Sequence, residues 1–275
     1  MAIITISRQM GSGSIPIAHE IADRLGYTLV DGDAIMQVAA SYGLSAESVE
    51  QADEKPPHFV EQMDFQQEID LHLIELIVLE YALKGNVIIY GRGGQDLLHD
   101  IRSVLRIRII APFEDRVEHW AEREWLDPDR ARVLLRKSDQ QRAGFIQYYF
   151  DRDWNDPLGY DLTINTQRLS LDMAVKIISE SISDQNLVEC KADCKKRLKD
   201  LVLRKRVEIA ILSSGKVDAY LLEISAADGV VSLSGQVHSR AEKKEALKLA
   251  QNVEGVTEIN EDIKVVEFRA LPTED

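Results

Sequence analysis

Between Ser7 and Ser14 the chain reads S-R-Q-M-G-S-G-S, a turn carrying two glycines. Directly before it lies a short apolar run, Ala2 to Ser7, whose Ile and Thr content fits a buried strand. Directly after it, Ile17, Ala18, Ile21, Ala22 and Leu25 share one helical face, closed by Gly26. A glycine turn between strand and helix aims backbone N–H groups and the positive end of a helix dipole at one point, which is chemistry for holding phosphate. The same turn also serves as a bare strand-to-helix connection, and the glycine pattern alone leaves both uses open.

The spacing matches G-x-x-x-x-G-K-[ST], the loop whose lysine reaches the β and γ phosphates. Here Arg8 stands at the first glycine position, Gly13 at the second, Ser14 at the lysine position and Ile15 at the Ser/Thr position. The missing ammonium would offset charge developing during phosphoryl transfer, and Arg8 at the loop's edge is the candidate substitute. Farther on, Gly91-Arg92-Gly93 sets an arginine between glycines at the carboxyl end of an apolar run. Such an arginine is either a surface charge paired with an acid or an anion ligand, and this placement favours the ligand. Asp139 and Arg142 have D-x-x-R spacing within RARVLLRKSDQQR, a segment that on its own fits a solvated helix face.

The elements that must position these residues alternate strand and helix. Thr28 to Asp31 reads as a second short strand ending in an acid, and Asp33 to Tyr42 and Ser45 to Ala52 read as helices. A long helix from about Asp64 to Leu83 ends at Gly85, and Asn86 to Gly94 is a strand running into a glycine turn. Val104 to Ala111 is another strand, followed by a helix over Glu114 to Trp125. Asp127-Pro128-Asp129 opens the next helix, with a cap acid and a proline in the first turn. Tyr160 to Thr166 is a last strand, and Ser170 caps a helix over Leu171 to Ile182. This alternation predicts an α/β fold, a doubly wound parallel sheet with ligands at the strand carboxyl ends.

The totals narrow the classes. Among 275 residues, 45% are hydrophobic and 29% charged, ordinary globular values. A formal charge of -14 argues against a general nucleic-acid binder, while leaving room for a local basic pocket. The most apolar stretch, Leu71 to Leu83, carries Glu75 and Glu80 and falls short of the roughly 20 apolar residues of a membrane span. Polar residues arrive too early in MAIITISRQMGSGS for a signal peptide, so a cytoplasmic location without membrane association is expected. Cys190 and Cys194 stand one helical turn apart without the further ligands a metal site needs.

From Ile4 to Met36 the chain resembles, without a gap, the opening of bacterial cytidylate kinases. It is more similar still to the cytidylate-kinase-like family whose loop reads S-R-Q-x-G-S-G-G-R. Ser7, Arg8, Gln9, Gly11, Ser12 and Gly13 match that loop, while Ser14 and Ile15 depart from it. The resemblance extends to about residue 182 and implies a P-loop monophosphate-kinase fold that transfers phosphoryl from ATP, with Mg²⁺, to CMP or dCMP. It implies that Gly11, Ser12, Gly13 and Ser14 hold the donor phosphates, with catalysis resting on Arg8, Arg92 and Arg142 through positioning and electrostatics. Asp31 and Asp33 face the acceptor, Arg92 holds its phosphate, and Asp139 accepts from a ribose in a lid that Arg142 completes. The serine usual after Asp31 is Gly32, and an earlier lid arginine falls on Leu135, beside Arg136. Tyr149, Trp154 and Tyr160, in a run that resembles the family's closing segment, read as packing. The proline-bearing stretch Asp53 to Phe59 reads as a cover for the acceptor. No residue is assigned to the metal.

Beyond Ser183 the composition changes. Residues 184–199 are polar and charged, a linker or connecting helix between a domain over 1–183 and a smaller α+β unit over 200–268, with a tail at 269–275. The smaller unit reads helix, strand, Asp228-Gly229 turn, strand, helix capped at Ser239, strand. Over roughly Leu201 to Val266 it resembles a BON domain, through Asp228-Gly229-Val230-Val231, Leu233-Ser234-Gly235-Gln236-Val237 and Val253-Glu254-Gly255-Val256. That resemblance implies association with phospholipid or protein, and in this acidic unit a regulatory or partner-binding module is favoured over membrane attachment. Three functions follow: a monophosphate kinase, a weak or inactive nucleotide sensor that signals through the module, or, least favoured, a lipid-associated scaffold.

Overall fold

The computed structural model describes residues 2–51, 65–188 and 191–266. The stretch Asp53 to Phe59, Cys190 and the tail at 269–275 lie outside these residues. The chain divides into two compact units, Met1–Cys194 and Lys195–Asp275. No helix among the described residues is long and apolar enough to cross a membrane.

In the first unit β1 (Ile3–Arg8), β2 (Thr28–Val30), β3 (Val87–Tyr90), β4 (Val104–Ile110) and β5 (Leu162–Asn165) form one sheet in the order β2-β3-β1-β4-β5. Every pairing is parallel. Parallel neighbours need a crossover connection, and helices supply it. These are α1 (Ser14–Leu25), α2 (Gly32–Ala39), α3 (Ala46–Gln51), α4 (Phe65–Lys84), α5 (Gly94–Leu97), α6 (Phe113–Glu124) and α7 (Pro128–Phe150), and α8 (Leu171–Ser181) follows the last strand. The expected doubly wound α/β architecture is what forms.

Alternation along the strands sorts the two faces. Ile4, Ile6, Ile107 and Ile109 pack against Ile17 and Ile21 of α1 and Val175 and Ile178 of α8. Ser7, on the other face, pairs in register with Arg108. The central strand β1 lies between β3 and β4, so its carboxyl end opens where the connections diverge, the place where such sheets bind ligands.

Two details differ from the expected elements. The helix expected from about Arg197 is α10 (Lys191–Leu212), preceded by the short α9 (Gln185–Val188). Lys, Ala and Arg are strong helix formers, so of the two readings, linker or connecting helix, the helix forms from Lys191 onward. The glycine turn after Tyr90 leads into the one-turn helix α5, which periodicity over four residues cannot signal.

The second unit pairs β6 (Leu222–Ala227) antiparallel with β7 (Val230–Val237), and β7 parallel with β8 (Glu258–Val265). Asp228 and Gly229 are both left-handed (φ 52° and 84°), as a two-residue hairpin turn requires. The crossover from β7 to β8 is α11 (Arg240–Gln251), whose Glu242 N–H donates to Ser239 Oγ at 3.1 Å. Val231, Leu233, Val237, Ala246, Ala250 and Ile263 close a core on Leu203, Val207 and Ile211 of α10.

Candidate functional site

β1 delivers the chain to the loop, and Gln9 fastens the loop to β4. Its N–H donates to the Ile109 carbonyl at 3.0 Å, and its Oε1 accepts from Ala111 N–H at 3.2 Å. Gly11 is left-handed (φ 81°), and a Cβ there would stand 3.0 Å from the Arg116 carbonyl oxygen and 3.2 Å from Leu135 Cδ2. The loop is thus pressed against α6 and α7 where only glycine fits. Gly13 begins α1 in the left-handed conformation, and no side chain caps the helix. Ser12 is 2% exposed, and its Oγ has no hydrogen-bond partner among the described residues. An orphaned buried hydroxyl beside an uncapped helix N-terminus fits a phosphate oxygen.

Ser14, at the lysine position, is buried, and its Oγ lies 2.7 Å from Tyr90 Oη. The Arg8 guanidinium lies 4.4 Å from the centroid of the Tyr90 ring. Strand register explains the meeting. Tyr90 pairs with Ile6 across the parallel β1–β3 ladder, and Arg8 is two residues along β1, on the same face. Ile15 is largely exposed and offers no oxygen to a metal.

A cleft of about 580 Å³ opens beside these residues. Arg8, Asp31, Asp33, Glu50, Tyr90 and Arg92 supply its polar walls, and Ile15, Leu29, Met36 and Val49 apolar ones. Asp31 caps α2, accepting from Ala34 N–H at 3.0 Å through Oδ1. Arg92 is held in a run of three left-handed residues, Gly91, Arg92 and Gly93 (φ 76°, 57° and 64°). A Cβ added to Gly32 would meet the Arg92 guanidinium at 3.5 Å, so the arginine lies along the start of α2. The cleft therefore gathers Arg8, Asp31, Asp33 and Arg92.

Asp139 and Arg142 are not among the residues lining that cleft. Asp139 is bound by Arg116, whose guanidinium nitrogens lie 2.9 and 3.2 Å from its two carboxylate oxygens. Arg116 is 3% exposed and also donates to the Met10 carbonyl at 3.2 Å, so it ties loop and α7 together. Arg142 donates to Ser138 Oγ at 2.6 Å. Leu135 is fully buried, and Arg136 lies over the Phe113 ring at 5.2 Å. Arg116 carried no signal in sequence: an arginine inside an acidic helix looks like a surface charge.

On the opposite face of the sheet, Trp154 is buried with Leu71, Phe145 and Ile146, and Tyr149 packs against the group. The Trp154 indole N–H donates to Ser7 Oγ at 2.9 Å. Arg108, buried, donates to the Trp154 carbonyl, to Tyr160 Oη at 3.0 Å and to Asn155 Oδ1 at 2.9 Å. Burial raises the Tyr160 phenol above its ordinary value. Near it Asp96, accepting from Gln95 at 2.7 Å and 3.8 Å from Arg152, is also raised, chiefly by burial. Among the described residues, no group of three or more His, Cys, Asp or Glu could hold a metal.

Residues 3–168 match the model of the cytidylate kinase-like family, and residues 199–267 match the BON domain. A cytidylate kinase of Staphylothermus marinus is 30% identical over 185 residues, covering 66% of this chain and 97% of that protein. One of Archaeoglobus fulgidus is 32% identical over 184 residues, covering 65% and 93%. A crystal structure of an uncharacterized protein from Eubacterium ventriosum superposes with a TM-score of 0.54 at 20% identity, covering 67% of this chain and all of that one, a likeness of fold. With the strand order, the phosphate-type loop and the arginine-lined cleft in place, the match across more than half its length makes this chain a member of the cytidylate kinase-like family, followed by a BON domain.

Proposed function

We propose that the first unit transfers the γ-phosphoryl group of Mg-ATP to CMP or dCMP. The observation that carries this reading is the cleft that joins Arg8 and Arg92 with Asp31 and Asp33 at the end of the loop. The backbone from Gly11 to Ser14 and the α1 N-terminus hold the donor phosphates, with the Ser12 hydroxyl buried beside them. Arg92 holds the acceptor phosphate, Asp31 and Asp33 bind its nucleoside, and Arg8 supplies positive charge at the junction. Arg142 and Asp139 act from α7, Asp139 by holding Arg116 against the loop. Mg²⁺ arrives on the phosphates of ATP and offsets their charge. Catalysis is positioning and electrostatics, without a covalent intermediate. Activity is cytoplasmic, and the BON domain binds a protein partner. The test is a coupled assay of transfer from Mg-ATP to a panel of monophosphates. Turnover highest with CMP or dCMP is expected, and no turnover with any of them at high protein concentration refutes the reading.

A second reading rests on Ser14, buried and bonded to Tyr90 where a lysine would stand. In it the unit binds nucleotide without turnover, and the BON domain reports occupancy to its partner. Ser14→Lys then strengthens ATP binding several-fold by restoring the ammonium, and unchanged affinity counts against it.

A further inference from the structure

We propose that Thr166 is a positioning residue of the phosphate loop. Its hydroxyl, delivered from the end of β5, holds the Ser12 carbonyl, so that the Gly13 N–H on the far side of the same peptide is presented to the donor phosphates. The inference rests on the reading of the backbone from Gly11 to Ser14 as the holder of those phosphates. It is carried by one contact between residues 154 positions apart, the Thr166 hydroxyl donating to the Ser12 carbonyl at 2.9 Å.

The donor is fixed by the sheet. Asn165 pairs with Ile110 at the end of the β4–β5 ladder, and the Thr166 N–H continues it by donating to the Ile110 carbonyl at 3.0 Å. That carbonyl also lies 3.3 Å from the Thr166 hydroxyl. A hydroxyl has one proton, and the amide already serves Ile110, so the proton goes to the nearer Ser12 carbonyl. Threonine is branched at Cβ and stiff at χ1, which keeps the hydroxyl on that line.

The acceptor turns easily unless it is held. A trans peptide sets its carbonyl and its N–H on opposite sides, and no peptide among the described residues is cis. Gly13, left-handed at φ 71°, tolerates either sign of φ, so the Ser12–Gly13 peptide can flip at small cost. A flip would set a carbonyl oxygen where an anion needs a donor. The carbonyls before it are held in the same manner. Gln9 accepts from the Ser12 N–H at 3.2 Å, and Met10 accepts from Arg116 at 3.2 Å. Three loop carbonyls thus meet protein donors, and Thr166 fixes the one nearest α1. A Cβ on Gly13 would meet no described atom within 4 Å, so the loop is open at this peptide, while at Gly11 it is pressed against α6 and α7. No spacing within the loop motif points to residue 166. Its role follows from where β5 ends beside β4.

The test is calorimetric titration of the full chain with ATP and with CMP, on the wild type, Thr166→Val, Thr166→Ser and Gly11→Ala. Valine keeps the branched shape and removes the proton, and serine keeps the proton. Thermal unfolding of each variant checks the fold, and Thr166→Ala replaces Thr166→Val if the latter does not fold. Thr166→Val is expected to weaken ATP binding about three- to tenfold, the worth of one neutral hydrogen bond, with CMP binding within about twofold of the wild type. Thr166→Ser should keep ATP affinity within about twofold of the wild type. A merely structural role would lower both affinities together. Equal losses for ATP and CMP, no loss for ATP, or a loss in Thr166→Ser as large as in Thr166→Val would overturn the proposal. Gly11→Ala separates it from the reading beneath it. If Gly11→Ala weakens ATP binding and Thr166→Val does not, the Thr166 role falls and the loop stands as the phosphate holder. If neither weakens it, or the wild type does not bind ATP, the reading of the loop falls and the proposal with it.

Discussion

Arg92 holds a left-handed backbone between two glycines, a conformation that costs a side-chain-bearing residue about 1–2 kcal/mol. A third glycine would remove that cost, so the guanidinium is what the position supplies to the cleft. Arg92→Ala should lower kcat/KM for CMP roughly 10- to 150-fold, the worth of about 1.5–3 kcal/mol for a charged hydrogen bond. Steady-state kinetics with thermal unfolding of the variant check this, and an unchanged kcat/KM would remove Arg92 from the site. Asp96 gives a prediction in pH. Burial raises its folded pKa, so its neutral form is favoured in the native state, and that advantage is complete below the unfolded value of about 3.9 and fades as pH rises through the folded value. The stability of Asp96→Asn relative to wild type should therefore climb as pH rises above about 4, measured by urea unfolding. A flat difference would mean the carboxyl is not buried as charge. Arg8, Asp31 and Arg92, which line the cleft, could be singled out in the sequence because each stands at or just beyond a strand's carboxyl end. The contacts of Tyr90 and Arg116 could not, because they depend on strand register and helix packing that no spacing encodes.

The loop works as an element because Gly11 lets it lie against α6 and α7. Gly11→Ala combines a left-handed φ with a Cβ 3.0 Å from a backbone oxygen, so it should destabilise the first unit by about 1–3 kcal/mol, roughly 2–12 °C in Tm. It should also weaken ATP binding more than CMP binding, since the loop and not the cleft is displaced. Differential scanning calorimetry and titration decide the point, and a variant that binds and melts like wild type would show the loop has room to spare. The alternating strands and helices were readable from apolar runs and caps such as Asp127 and Ser170, which accept the backbone N–H bonds expected of them. The choice between linker and connecting helix over 184–199 was not, because Lys, Arg and Asp in sequence look the same in an exposed helix as in a linker. Nor was the pairing of Asp139 with Arg116, which joins two helices through residues 23 positions apart in the chain.

At the scale of the molecule, two units with separate cores share one chain. Their composition shift was legible near Ser183, whereas the contact division falls at Cys194, because Leu187 of α9 packs against the first unit's core. Under the kinase reading CMP stabilises only the unit it binds, by about 2.7 kcal/mol at a hundredfold excess over Kd. Calorimetry should then show two transitions with only one moved by CMP. A ligand-dependent shift of both would favour the sensor. The cleft sets Arg8 and Arg92 beside Asp31, Asp33 and Glu50, and because the arginines carry the attraction for a phosphate, CMP affinity should weaken as salt is raised. The most direct measurement is formation of CDP from ATP and CMP, followed by phosphorus NMR at protein concentrations near those of the substrates, for the wild type and an Arg8→Ala/Arg92→Ala variant. CDP from the wild type and a loss of a hundredfold or more in the variant is the expected result. No CDP from the wild type, or equal CDP from both, would contradict phosphoryl transfer at this cleft.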